Sequence, residues 1–491
     1  MKRITFFLTI LLCSSSVLIA QTKTIKKANT LYDNKRYADA IPLLEKILTT
    51  ESNIALRTKL ANSYRLTNQS SKAEELYSQI VLDDKAKDIT YLNYGEVLII
   101  NGKYDAAKDW IATYLATNPS DETALQLLQS CDAVRNIKPY FEDITIRSFP
   151  YNTPNDENCP ILLDDRILFA SDKPSSGLFS RKSGWTGRDF IRIYQSKCNK
   201  PGNTYAKPTS FAAANAYNKN VGGISISPDK TEIVFARNNT EMSKNNAFNL
   251  QLYSAEAKKS GGKFRKVKKI SFCSKEHNYM HPALSPDGRY LYFATDKAGG
   301  EGGLDICVSE RDADGDWAKP INLGKAINTN ANEAFPFVGE DGKIFFSSKG
   351  WGGLGGFDVF VSEPDSNGNW GQPINLGTPI NSSYDDFSFY MLPQEPKGMF
   401  ASSRHDSNDN IFFFEQQTIQ NNFEVTPKTY EQPLPETTII EPEVDKKTPI
   451  NNPAITTDTN IKIKAITTPD NTPATSSEDD FIVKEKKKDD E

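Results

Sequence analysis

The chain has 491 residues, 38% of them hydrophobic and 25% charged, with a formal net charge of −5. This length accommodates two or three domains, and the mildly acidic balance gives no electrostatic signature of nucleic-acid binding. With only three histidines, a His-rich metal site and a His-based catalytic triad are both disfavoured.

The first twenty residues have the pattern of a secretory signal. Lys2 and Arg3 form a charged start, Ile4 to Leu12 an apolar stretch too short to span a bilayer, and Leu18-Ile19-Ala20 a cleavage site. Cys13 is poorly placed for lipidation, because Leu12 occupies the preceding position, where lipidation signals have a small residue. We therefore predict a signal peptide over residues 1–20 and an exported, periplasmic chain, and leave lipidation open.

A helical repeat follows the signal. The small residues Ala40, Ala73 and Ala107 lie 33 and 34 residues apart, and each comes 12 residues after another small residue, namely Ala28, Ala61 and Gly95. Small residues on both helices of a hairpin allow close packing, while large residues fill the space between hairpins. We predict three helical hairpins whose turns are Asn34-Lys35, Gln69-Ser70 and Asn101-Gly102.

This spacing resembles the tetratricopeptide repeat over roughly residues 24–120, although a generic helical bundle would bury a similar stripe. The resemblance implies a groove that holds a peptide or a partner's helix. Asp121 to Ile137 is expected to form a capping helix with Leu125 among its inward-facing residues. The helical domain is thus predicted over residues 21–139.

The hydrophobic period changes from 3.6 to 2 near Tyr140, and a four-strand pattern then repeats. The clearest copies run from His281 to Glu333 and from Ala334 to Asp386, each with an Asp-Gly turn, a glycine-rich loop and an outer strand headed by Trp317 or Trp370. With weaker copies on either side we count five units, which is typical of a β-propeller.

The fifth unit has no outer strand of its own. Ile144 to Pro160 matches the segment that elsewhere joins an outer strand to the next blade, so we predict that Ile144 to Phe149 completes the last blade and closes the ring. The predicted fold is therefore α plus all-β: helical hairpins over 21–139, a five-bladed propeller over 140–417 and a disordered tail over 418–491.

The SPDG and GGLDI phrases resemble the PD40 (WD40-like, TolB-type) propeller repeat. Together with the helical repeats and the signal, the chain resembles OmpA-family periplasmic proteins of outer-membrane assemblies, including type IX secretion and gliding systems. That resemblance implies an adaptor or scaffold with protein or peptide partners and peripheral outer-membrane association. The family's OmpA-like peptidoglycan-binding domain has no counterpart here, which puts cell-wall anchoring in doubt.

Loops from two positions of each blade meet on one face of a propeller, and there we expect a recognition surface. The candidate residues are acidic, amide and aromatic: Glu157, Asn220, Asn278, Glu333, Asp386, Trp351, Asp305 and Asp358. The alternative interpretation is that Asp305 and Asp358 tie loop backbone to the blade while glycines permit tight loops.

We predict no enzyme, cofactor or metal site. The carboxylates recur with the repeat, and no nucleophile motif surrounds the histidines. Asp312 to Asp316 is interpreted as a hairpin turn rather than a calcium loop, and Lys266 to Lys269 as the solvated side of an outer strand. The leading hypothesis is a periplasmic protein-binding adaptor; the alternatives are a carbohydrate-binding or glycan-active propeller and a peptidoglycan-associated envelope protein. In the tail, Phe481-Ile482-Val483 is either a docking motif or part of a solubilising extension.

Overall fold

A computed structural model describes residues 21–174, 182–199, 204–216, 219–245, 247–393, 395–405 and 408–417. The predicted signal peptide and the predicted tail lie outside the described residues. None of the described helices is both long and apolar enough to cross a membrane.

In the described residues seven α-helices precede the first strand. They are α1 (residues 21–33), α2 (Tyr37–Leu48), α3 (Ile54–Arg65), α4 (Ser70–Ile80), α5 (Asp88–Ile100), α6 (Tyr104–Leu115) and α7 (Glu122–Ala133). The first six pair as three hairpins. The Asp121 side chain caps the start of α7 by accepting a hydrogen bond from the Ala124 amide at 3.1 Å.

The three hairpin turns share one backbone conformation. Lys35, Asn68 and Gly102 each have a positive φ, between 56° and 72°, which is the usual way to end a helix. In each turn the following amide bonds back to a carbonyl five residues earlier, at 2.8 Å (Arg36 to Leu31, Gln69 to Tyr64) or 2.7 Å (Lys103 to Leu98). The repeat seen in the sequence is therefore a repeat of structure.

The small residues lie where the helices of each hairpin approach. Ala28, Ala40, Ala61, Ala73 and Ala107 are all fully buried. A methyl group on Gly95 would lie 2.5 Å from Cγ1 of the buried Ile111, so α5 and α6 approach more closely than an alanine would allow. Leu125, predicted to face inward, is instead exposed; Ala124 and Cys131 are the buried residues of α7.

In the part of the chain that the structure describes, twenty-one strands form five antiparallel sheets. The strands of each sheet are called A to D from the centre outward. The A strands are β2 (Glu157–Leu163), β7 (Val221–Ile226), β11 (Tyr279–Leu284), β15 (Glu333–Val338) and β19 (Asp386–Met391). The B strands are β3 (Arg166–Ser171), β8 (Glu232–Asn238), β12 (Tyr290–Thr295), β16 (Ile344–Ser348) and β20 (Lys397–His405). The C strands are β4 (Arg192–Asn199), β9 (Leu250–Glu256), β13 (Asp305–Glu310), β17 (Asp358–Ser362) and β21 (Asn408–Gln416).

The outer D strands differ in length. Blade 1 has two short pieces, β5 (Thr204–Tyr205) and β6 (Thr209–Ser210), blade 2 has β10 (Arg265–Lys269), blade 3 has β14 (Ile321–Asn322) and blade 4 has β18 (Ile374–Asn375). Blade 5 takes its D strand from the other end of the domain: β1 (Ile144–Ser148) pairs with β21, in the register Ile144 to Gln416 through Ser148 to Phe412. The predicted five-bladed, ring-closed propeller is confirmed.

Candidate functional site: the loop face of the propeller

The loop face consists of the loops between the D strand of one blade and the A strand of the next, and of the loops between strands B and C. A ring of hydrogen bonds joins the blades on this face. In each blade the side chain of the residue just before strand A accepts a hydrogen bond from a backbone amide at the start of strand C in the preceding blade. The pairs are Asp156 with Asp409 (3.1 Å), Asn220 with Ile191 (2.9 Å), Asn278 with Leu250 (2.9 Å), Asn332 with Leu304 (2.8 Å) and Asp385 with Phe357 (2.8 Å).

Three of the predicted residues occupy the next position along the chain, in blades 1, 4 and 5. Glu157, Glu333 and Asp386 are fully buried. The Glu333 carboxylate accepts bonds from the Thr329 amide and hydroxyl, both at 2.7 Å, and from the Ser348 hydroxyl at 2.6 Å. It thus ties the loop before strand A to strand B.

The other two carboxylates of this set also bond to the loop before strand A and to strand B of their own blade. Glu157 accepts from Thr153 and Ser171 at 2.8 Å, and Asp386 from Ser382 and, at 2.5 Å, from Arg404. Burial raises the pKa of all three carboxyl groups, that of Glu333 to about 7. Their oxygens are used within the blades.

The remaining predicted residues also hold loops. Asp305 accepts from the amides of Glu301 and Gly302 at 2.7 and 3.2 Å, and Asp358 accepts from those of Leu354 and Gly355 at 2.7 and 3.1 Å. The Trp351 indole, half-buried, donates to the Ile327 carbonyl at 2.8 Å. Asp305 and Asp358 therefore act as the alternative interpretation of the sequence described.

One set of structural residues was missed. Asn152, Asn215, Asn328 and Asn381 each bond to both the amide and the carbonyl of one C-strand residue, and so extend the ladder beyond strand D. Three of them belong to the repeated phrases YNTPNDE, INTNANE and INSSYDD. The recurrence of this asparagine five residues before the predicted carboxylates was the available signal.

A belt of five equivalent residues lies inside the ring, at the third position of each A strand. Cys159, Gly223, His281, Phe335 and Ser388 all have φ between 50° and 61°, and the strand pairing shifts register beside each. Neighbouring members touch: Cys159 Sγ lies 3.4 Å from Ser388 Oγ, and the His281 ring stacks on Phe335 at 3.6 Å. Burial lowers the pKa of His281 to about 3 and raises that of Cys159 to about 11. These side chains are neutral packing groups at neutral pH.

An acidic cluster stands where blades 5 and 1 meet on the loop face. It contains Asp156, Asp172 and Asp409, and the Arg188 guanidinium is ion-paired to Asp156 and lies 3.7 Å from Asp172. Burial, with the Asp156 carboxylate as the second cause, raises the pKa of Asp172 to about 7 and holds that of Asp409 well above its usual range. Burial and the neighbouring acidic groups therefore favour retention of a proton on Asp172 and Asp409.

The helical domain is docked on the loop face by its hairpin turns. The indole of Trp185, in the B–C loop of blade 1, donates to the Leu66 carbonyl at 2.9 Å and meets the Tyr37 ring edge-on at 4.9 Å. On blades 4 and 5, Tyr104 donates to the Leu354 carbonyl and Ser383 to the Ile100 carbonyl, both at 2.8 Å. Part of the face predicted to meet a partner thus holds helices of the same chain.

We expect a Trp185→Ala substitution to loosen this docking. Loss of a central aromatic contact at an interface costs about 2 kcal/mol or more. Amide exchange in the turns at residues 34–36 and 66–69 should therefore quicken by at least about tenfold. Trp317→Ala, on the outer edge of blade 3, is the matched control and should leave these turns unchanged. Equal exchange in the two variants would contradict the docking described.

The loops of blades 2 and 3 are more open. Thr240, Glu241 and Lys244 in the former and Lys297 to Gly300 in the latter are exposed. No group of three or more His, Cys, Asp or Glu in the described part of the chain is arranged to hold a metal ion. The Asp312 carboxylate accepts from the amides of Asp314 and Asp316 at 3.0 and 2.9 Å.

No protein-family model and no curated protein matches the chain. Solved structures do match. A putative TolB from Agrobacterium tumefaciens is 15% identical, with 53% of this chain and 76% of that chain covered and a TM-score of 0.33. An alpha-L-arabinofuranosidase from Lactobacillus brevis is 12% identical, with 57% and 93% covered and a TM-score of 0.34. A puromycin hydrolase is 12% identical, with 54% and 53% covered and a TM-score of 0.28.

The hydrolases among these structures correct one prediction. We predicted from the sequence that the chain is not an enzyme. This exclusion of enzymatic activity is wrong, because enzymes are found among the similar structures. Identities and TM-scores this low assign no reaction. Catalysis therefore has to be decided by assay.

Proposed function

We propose that the chain is an exported, protein-binding adaptor of an outer-membrane-associated complex, built from tetratricopeptide-like hairpins and a PD40-type propeller. The observation that supports this most is the docking of the hairpins by their turns. Contacts through Trp185, Tyr104 and Ser383 join the hairpins to blades 1, 4 and 5. The two domains thereby present partners with one surface of fixed geometry.

The connection between the second and third hairpins lies at the end opposite to the docked turns. Leu82, in the connection from α4 to α5, is 80% exposed, and Ile89, in the first turn of α5, is 47% exposed. Isolated exposed apolar residues are ordinary, but here two lie within eight residues, at the end farthest from the docked turns. This end of the helical domain is the contact surface that we assign to a protein partner.

A photo-crosslinking amino acid at position 82 of the full mature chain tests the proposal. We expect a discrete set of crosslinked envelope proteins that Ile89→Ser depletes at least about fivefold, a loss of about 1 kcal/mol of binding free energy. Leu125→Ser, an exposed leucine on α7, is the matched control and should leave the set unchanged. The same proteins at the same yield from both variants would refute the assignment.

The acidic cluster supports a second candidate, a carbohydrate-active propeller. Glycoside cleavage uses a pair of carboxyl groups, one of which acts as the acid; Asp156 and Asp172 lie together around Arg188 on the loop face, and burial raises the pKa of Asp172 to about 7. Hydrolysis of a panel of aryl glycosides by the mature chain, abolished in Asp172→Asn and kept in Asp312→Asn, would establish this candidate. Absence of turnover across the panel would remove it.

A further inference from the structure

The outer strand of blade 2 carries a concentrated positive charge. Between Glu256 and Glu276 there is no acidic residue, whereas seven cations fall within twelve residues: Lys258, Lys259, Lys263, Arg265, Lys266, Lys268 and Lys269. All seven side chains are exposed, and every residue of β10 is exposed. In a chain with a net charge of −5, this is a marked local reversal of sign.

Protection of a sheet edge does not account for this charge. Lysines and bulges do discourage edge-to-edge association, and β10 contains a bulge between Arg265 and Lys268. The equivalent edges of blades 3 and 4 need the same protection, yet residues 311–322 contain two cations and residues 364–375 contain none. Ile374, on the edge of blade 4, is 53% exposed without such protection.

The free edge of β10 is also a template for another strand. Among the described strands, β10 is the last of its sheet and pairs only with β9. An extended segment that pairs with such an edge gains main-chain hydrogen bonds, and its side chains decide the specificity. The segment that fits β10 is acidic and has a strong preference for β structure.

The chain contains such a segment beyond the described residues. Residues 418–491 carry fifteen acidic and nine basic side chains, and Glu478-Asp479-Asp480 stands directly before Phe481-Ile482-Val483. The three acidic side chains are opposite in charge to the lysines of β10. The Phe-Ile-Val sequence that follows them has a high strand propensity, because it contains an aromatic and two β-branched residues. We propose that residues 478–483 pair with the free edge of β10 in the same chain.

The connection is long enough for this contact. Sixty residues lie between Gln417, the last described residue, and Glu478. A flexible connection of that length has an r.m.s. reach of about 45 Å, close to the width of about 50 Å of a compact domain the size of the propeller. Tethering gives an effective concentration near the millimolar range, so a weak strand contact is sufficient for occupancy.

Hydrogen exchange on the full mature chain tests the proposal. The variant Glu478→Lys/Asp479→Lys/Asp480→Lys should speed exchange of the amides at 263–270 by about tenfold, since a contact of about 0.1 mM affinity is lost at millimolar effective concentration. The matched control Glu441→Lys/Glu443→Lys/Asp445→Lys changes the net charge of the same tail equally and should exchange like the parent. Substitution of Lys266, Lys268 and Lys269 by Glu should by itself speed exchange of the same amides. Combined with the first variant, the same substitutions should restore their protection.

Three results would overturn the proposal: equal exchange in the parent and the first variant, an equal effect of the control variant, or protection that disappears on tenfold dilution. The last result would assign the contact to the tail of a second copy. Protection that is independent of concentration and is recovered in the charge-swapped protein supports pairing within one chain.

Discussion

A Phe149→Ala variant is expected to lose about 4 kcal/mol of unfolding free energy, the usual cost of emptying a buried aromatic site. Phe149 is 1% exposed and follows the closing strand directly. Its ring packs edge-on against Phe169 of blade 1 and Phe413 of blade 5, with centroids 5.4 and 5.9 Å away. The variant therefore weakens the junction where the propeller is closed, and chemical denaturation followed by circular dichroism measures the loss.

Ile374→Ala is the control for this prediction. It removes apolar atoms from a residue that is 53% exposed on the edge of blade 4, so its effect should stay within about 0.5 kcal/mol. A Phe149→Ala variant as stable as Ile374→Ala would mean that the junction does not support the ring.

The Glu333 carboxyl group should make the protein less stable as the pH rises. Its pKa is about 7 in the folded protein, against 4.5 when exposed, because burial disfavours the charge. Below pH 4.5 both states keep the proton and the contribution is complete. Between pH 4.5 and 7 the unfolded chain ionises while the folded one does not, so about 3 kcal/mol is lost progressively.

Glu333→Gln should remove that loss. The amide can still accept from the Thr329 amide and pair with the hydroxyls of Thr329 and Ser348, but it does not titrate. Denaturation midpoints at pH 5 to 8 should therefore diverge, with the variant gaining on the parent as the pH rises. Glu340→Gln, at an exposed residue of the same blade, should follow the parent. Parallel pH profiles of parent and Glu333→Gln would show that Glu333 folds as a carboxylate.

The fold was largely predictable because it is repeated. Each blade buries the same pattern of residues, so strands weakly marked in one copy could be aligned with clear ones in another. Ile144 to Pro160 matches the segment that joins blade 3 to blade 4, and this match placed the closing strand correctly. Both segments carry the Asn-Thr pair whose side chains hold the loop in the structure.

The site was predicted less well, for a physical reason. A polar residue can repeat in a propeller because it binds a partner or because it accepts hydrogen bonds from buried loop amides within the blades. The sequence shows the repetition but does not distinguish these two roles. The list of candidates also mixed two registers. Asn220 and Asn278 join blades in the positions of Asp156, Asn332 and Asp385, whereas Glu157, Glu333 and Asp386 stand one residue later and tie loops within blades.

The docking of the helices left little trace in the sequence. Trp185 lies in a B–C loop without the paired glycines of the loops in blades 3 and 4, and its partners are a carbonyl and a ring on the helical domain. Contacts between domains follow from shape and from single residues, which are not periodic. Leu125 was misplaced for a related reason: one helix turn of apolar residues does not fix which side faces the core.

Disulfide trapping of the closing strand tests the ring most directly. Thr145 pairs with Glu415 across β1 and β21, and partners in such a ladder lie about 5 Å apart, within the range of a disulfide. We predict that Thr145→Cys/Glu415→Cys crosslinks on mild oxidation, whereas Thr145→Cys/Lys397→Cys, two strands away at about 10 Å, does not. A failure of the first pair to crosslink, or equal crosslinking of both, would contradict a propeller closed by residues 144–148.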